Sequence, residues 1–178
     1  LSGAAASAAP ALLDFTVDEG SVPGAIARTF VADKLNGGYN EQLTINMDST
    51  FNTMAYATFN GFYGNDGADL VGSQLGSVTP NQYSMYALFS SSGTFGGGSF
   101  TGTSGAFDLY IDVDSDTTLA LGANGTSPIG IGNNGDDYRI AFTTSLVSAL
   151  GIVGDPGAFD LVFDDFQLTD AGKTYFTS

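Results

Sequence analysis

Hydrophobic and polar residues alternate over much of this chain. The clearest run places Phe107, Leu109, Ile111 and Val113 on one side, and Asp108, Tyr110, Asp112 and Asp114 on the other. A period of two with aromatic and β-branched residues marks a half-buried strand. Leu13, Phe15 and Val17 repeat the pattern, as do Leu43, Ile45 and Met47. Further strands are expected at 27–35, 50–63, 82–89, 99–102, 138–145, 158–168 and 174–176. Asn36-Gly37-Gly38 reads as a hairpin turn. Residues 90–98 read as a turn or loop, 122–135 as a glycine-rich loop, and 146–152 as one helical turn. Nine or ten short strands at this spacing predict an all-β fold, a single-domain antiparallel β-sandwich or jelly roll. The expected division is an Ala/Ser-rich N-terminal tail, residues 1–11, and a sandwich domain, residues 12–178. The pentapeptide Gly105–Leu109 recurs as Gly157–Leu161. Either the two mark equivalent strands in two sheets, or a biased composition has converged on one good strand sequence.

Composition narrows the function. A chain of 178 residues buries roughly two thirds of its unfolded surface, enough for one core. Nineteen acidic residues stand against four basic ones, a net charge of −15. Such a chain cannot neutralise phosphates, so nucleic acid is excluded and an anionic membrane disfavoured. Cations are its natural partners. The chain has neither histidine nor cysteine. That removes Ser-His-Asp hydrolases, cysteine nucleophiles and most zinc enzymes. Asp160, Asp164 and Asp165 could supply a two-carboxylate glycosidase pair. At this acid density, however, such pairs arise by chance, and the reading is a protein that is not an enzyme. No apolar run is long enough for a membrane helix. The small-residue start resembles the remainder of a processed secretory signal, so a secreted or cell-surface protein is expected.

One acidic motif carries candidate chemistry. Asp112, Asp114 and Asp116 occupy alternate positions, like the opening of a calcium loop. Thr117 and Ala123 stand where an EF-hand needs glycine and glutamate, so any site is of another kind. Asp136 and Asp137 in the following loop complete the expected metal set, with Ca2+ as its ion. The competing reading is a solvated acidic strand end that resists edge pairing. Asn124-Gly-Thr126 matches a glycosylation sequon, a triplet common by chance.

Four passages carry a family likeness: Phe15–Asp18, Phe30–Glu41, Tyr86–Thr94 and Leu109–Thr118, with Ala32-Asp-Lys-Leu-Asn-Gly-Gly-Tyr39 the most specific. On them the chain resembles the flocculation-associated secreted proteins of Gram-negative bacteria that carry a C-terminal Pro-Glu-Pro sorting signal (the PEP-CTERM family). The sorting signal itself is not among these residues. The resemblance implies export and adhesion within exopolysaccharide, and no catalytic residues. The resulting expectation is a self-assembling matrix or biofilm protein, its subunits joined by donation of the N-terminal strand around Leu13, Phe15 and Val17. The alternative is a calcium-dependent carbohydrate-binding module.

Overall fold

The computed structural model describes residues 12–76, 82–152 and 158–177. It is an all-β domain whose ladders are antiparallel. The strands are β1 Phe15–Asp18, β2 Thr29–Ala32, β3 Lys34–Ile45, β4 Thr50–Gly64, β5 Asp69–Val71, β6 Ser84–Gly96, β7 Ser99–Asp112, β8 Thr118–Ala120, β9 Gly130–Gly132, β10 Tyr138–Thr143, β11 Ser145–Ile152, β12 Ala158–Asp164, β13 Gln167–Leu168 and β14 Phe176–Thr177. A single helical turn and a half, α1 (Asp170–Tyr175), precedes β14.

Nine strands form one sheet whose main order is β12-β11-β7-β6-β4-β3; β10, β13 and β5 pair off this path. A small sheet, β14-β1-β2, covers part of it. Between the two lies the main core. Val17 and Ala32 come from the small sheet, and Phe62, Met85, Ala87, Leu109 and Ile111 from the large one. Phe62 meets Phe30 and Phe15 edge-on at 5.2 and 6.3 Å, a favourable aromatic geometry. A second apolar cluster forms because the large sheet curls. Phe159 of β12 reaches Phe51 of β4 and Phe100 of β7 at 6.3 and 6.1 Å, and Phe163 reaches Phe107 at 5.9 Å.

Strands β3, β6 and β7 run through stretches whose residues signal turns. Asn36, Gly37 and Gly38 lie inside β3, not in a turn; a bulge falls between Asn36 and Gly37. A Cβ on Gly37 would come within 2.0 Å of the Thr58 carbonyl oxygen, so glycine is there to let two strands approach. The real turn of the 90–98 stretch is Gly97-Gly98, both at positive φ, a two-residue hairpin connection. Residues 145–152 are strand β11, not helix, because β7 and β12 supply ladders on both sides. Of the residues read as a final strand, Thr174 and Tyr175 end α1. The two copies of the pentapeptide lie in one sheet, on β7 and, from Ala158 onward, β12.

Donation of the N-terminal segment that runs through Leu13, Phe15 and Val17 is overturned. Phe15–Asp18 pairs with β2 on one side, Thr16 and Val17 pair with β14 on the other, and Val17 is fully buried in its own chain. The Ala/Ser tail, residues 1–11, lies outside the described residues.

A buried carboxylate locks the small sheet in place. Glu19, in the turn after β1, is 0% exposed. It accepts hydrogen bonds from the Gln74 backbone N–H (2.6 Å), the Gln74 side-chain amide (2.9 Å) and the Tyr83 hydroxyl (3.1 Å). Tyr83 in turn receives the Tyr175 hydroxyl of α1 at 2.5 Å. Burial pushes both tyrosines far above their usual range, so they remain neutral donors. Glu19→Gln would turn one acceptor of this network into a donor facing donors. The expected cost is about 1–3 kcal/mol. Calorimetry should show a melting temperature lower by several degrees; an unchanged one contradicts the network's role.

Candidate metal centre

Asp112 is the last residue of β7, and the chain does not return to the sheet until Tyr138 opens β10. The excursion between them carries the β8–β9 hairpin. Its two feet meet at Asp112 on one side and Asp136 and Asp137 on the other. One carboxylate oxygen from each of the three lies within 4.8 Å of the others.

Local backbone geometry explains the convergence. Ser115 takes a positive φ, which bends the chain back over the strand end. The N–H groups of Asp116 and Thr117 then donate to Asp112 at 3.2 and 3.1 Å, and Ser84 on β6 adds its hydroxyl at 2.7 Å. These bonds hold Asp112 at 2% exposure. Across the gap, Asp136 accepts from the Asp114 N–H (2.8 Å), and Asp137 from the hydroxyls of Tyr86 (2.6 Å) and Thr117 (2.9 Å). Asn133, also at positive φ, donates to the Asp116 carbonyl and ties the feet together. At its far end, the Gly125 N–H donates to Thr44 on β3.

Of the five aspartates expected from the sequence, three come together. Asp114 and Asp116 serve through their backbone N–H groups, while their side chains are exposed and outside the three-oxygen set. Sequence reasoning missed Ser84, Tyr86 and Thr117. Tyr86 stacks on Tyr110 at 5.1 Å in a cross-strand pair, which turns its hydroxyl toward Asp137. Only the β6–β7 register reveals that.

The electrostatics are unfavourable for three bare carboxylates. Among the described residues the ion pairs are Arg139 with Asp108 and Lys173 with Asp170, so no basic side chain neutralises the cluster. Burial, followed by the neighbouring charges of Asp112 and Asp136, raises Asp137 above the ordinary carboxylate range, although the Tyr86 and Thr117 hydroxyls oppose this. Asp116 is raised by desolvation and by four surrounding aspartates. The donor set fits a hard cation. Calcium–oxygen distances of about 2.3–2.6 Å allow two ligands to stand about 5 Å apart. An all-oxygen set favours calcium or magnesium over zinc or copper. Each carboxylate can both accept its N–H or O–H bond and ligate, because it offers about four lone-pair sites.

Comparison with known protein families, with curated proteins and with solved structures finds no match.

The raised pKa of Asp137 has a definite sign. The folded state holds that proton more tightly than the unfolded chain, so the penalty is fully present at neutral pH. It is relieved as pH falls through the raised value toward the ordinary 3.8. In chelator this cluster should therefore add stability on mild acidification. Calcium at a hundred times its dissociation constant should add about 2.7 kcal/mol at neutral pH. Melting of Asp137→Asn and Asp136→Asn at matched ionic strength is the control. An equal calcium response in the variants and the parent contradicts a specific site.

Proposed function

We propose that this protein is a secreted structural and adhesive subunit of a bacterial extracellular matrix, one that associates with copies of itself among exopolysaccharide. The observation that carries this reading is the open large sheet. Its outermost strands in the main order, β3 and β12, each have one ladder partner among the described residues. Natural sheets guard such edges with charge, proline or short length. Yet β3 runs twelve residues without proline, and its only charged residues are Lys34 and Glu41. The Ala32–Tyr39 passage that carries the family resemblance forms the end of β2 and the first half of β3. Nearby on the other edge, Leu150, Ile152 and Val162 are 55%, 56% and 41% exposed, an apolar surface suited to contact with a partner.

Under this reading a divalent cation at Asp112, Asp136 and Asp137 stiffens the β7–β10 excursion and catalyses nothing. The aspartate cluster also favours a second reading, a calcium-dependent carbohydrate-binding module.

Charge makes the first reading testable. A net charge of −15 repels neighbouring subunits, so assembly should strengthen with salt and on acidification from pH 7 toward 4. Light scattering with electron microscopy of the same samples should show repeating assemblies that grow as pH falls. Dissociation on acidification contradicts the proposal, and dispersed monomers that bind glycan only with calcium favour the second reading.

A further inference from the structure

Curling brings β3 and β12 to opposite sides of one slot. Its cavity of about 310 Å³ is lined by the Leu35–Tyr39 stretch of β3 and by residues of β12, with Phe59, Phe89 and Phe107 from the strands between. Small-molecule sites begin at roughly this volume. Six of the twelve lining residues are aromatic, and none carries a formal charge at neutral pH. Four of the rings form a continuous run. Tyr39 meets Phe89 at 6.1 Å, Phe89 meets Phe107 at 6.3 Å, and Phe107 meets Phe163 at 5.9 Å. Tyr39 stands at the rim, 54% exposed.

A carboxylate stands beside these rings. Glu41, two residues after Tyr39, lies on the same face of β3. Directly paired residues share a face, so Glu41, Ala55, Phe89 and Phe107 form one row across four strands. Ala55 puts only a methyl group between Glu41 and Phe89 in that row. The chain's other glutamate, Glu19, has both oxygens matched to donors. Glu41 does not: its Oε1 is buried with no hydrogen-bond partner. It also belongs to neither ion pair among the described residues. Burial raises its pKa and outweighs the Thr53 hydroxyl beside it.

Rings and carboxylate together select a ligand. Aromatic faces are electron-rich and attract a cation within about 6 Å. The unpartnered Oε1 needs a donor, and a charged donor makes the stronger bond. Among the described residues β3 has a ladder partner on one side only, so carbonyls on its free side are further acceptors. An ammonium group offers three donors and no acceptor, which matches this set. The apolar lining calls for a hydrocarbon body. An anion would meet Glu41 and a net charge of −15, and a neutral ligand would leave Glu41 without a counter-charge. We propose that the slot binds a protonated primary amine on an apolar body, an alkyl- or arylalkylammonium, with its ammonium at Glu41 and its body along Tyr39, Phe89 and Phe107. The site stands apart from the matrix-subunit reading.

Three probes of similar size separate charge from bulk: phenethylamine, 2-phenylethanol and 3-phenylpropionate. Titration calorimetry of the full-length chain, at neutral pH and fixed ionic strength, should rank the amine about tenfold ahead of the alcohol, with the carboxylate unbound. Backbone amide resonances of residues 35–41 and 159–163 should shift with the amine. In Glu41→Gln the amine should lose its lead over the alcohol, with a melting temperature no lower than the parent's. Tyr39→Leu keeps an apolar wall and removes a ring, so it should weaken the amine severalfold more than the alcohol. Equal affinity for amine and alcohol, or an amine preference that survives Glu41→Gln, overturns the proposal. Shifts centred on Asp112, Asp136 and Asp137 also overturn it, because they report general attraction to acidic groups. So does a chain that binds no probe, as it would if residues 1–11 filled the slot.

Discussion

A β-sheet must satisfy the backbone groups of its last strands, and among the described residues this one does so incompletely. The constraint arises from the curl. β11 pairs with the first residues of β7, Ser99–Thr101, and β12 then lies across the concave face rather than extending the sheet outward. That placement buries Phe51 against Phe159 without a second full sheet. It also leaves β12 facing β3 across an aromatic slot. Closure would remove both edges at once.

Two acidic sites stand next to each other at the start of β6, one on Tyr83 and one on Ser84. The small sheet is held by a buried carboxylate whose oxygens are all matched to donors, Gln74 and Tyr83. Beside it, three aspartates are gathered where the β7–β10 excursion leaves and returns. The two acidic sites contrast in a useful way. Glu19 is fully buried and surrounded by neutral donors; the aspartates face one another, and Asp137 responds with a raised pKa. The first is a finished structural joint. The second has charge to spare, which makes it the candidate site for a cation and for pH to act on the fold.

Much of the core was legible in the alternation. Val17, Leu109 and Ile111 are buried as their period of two requires, and the acidic partners of Asp112 stand in the loop where the sequence places them. What remained illegible depends on pairs distant in sequence. Asn36-Gly37-Gly38 carries a turn signal, but a close approach by Thr58 makes it a bulge. The 146–152 stretch becomes strand because β7 and β12 flank it. Ser84, Tyr86 and Thr117 join the aspartate cluster through cross-strand register and a positive-φ bend that no local pattern announces. The slot has the same origin, since neither edge strand reveals in its own residues that the other lies opposite.

The most direct check of this account reads the edge strands themselves. Amide hydrogen exchange, followed by residue in dilute monomer and in assembled material, separates paired from unpaired ladder groups. The account predicts that outward-facing amides of β3 and β12 exchange rapidly in the monomer and become protected on assembly, while β4, β6 and β7 stay protected throughout. Protection of both edges already in the monomer, or edge amides that remain fast in assembled material, would contradict it.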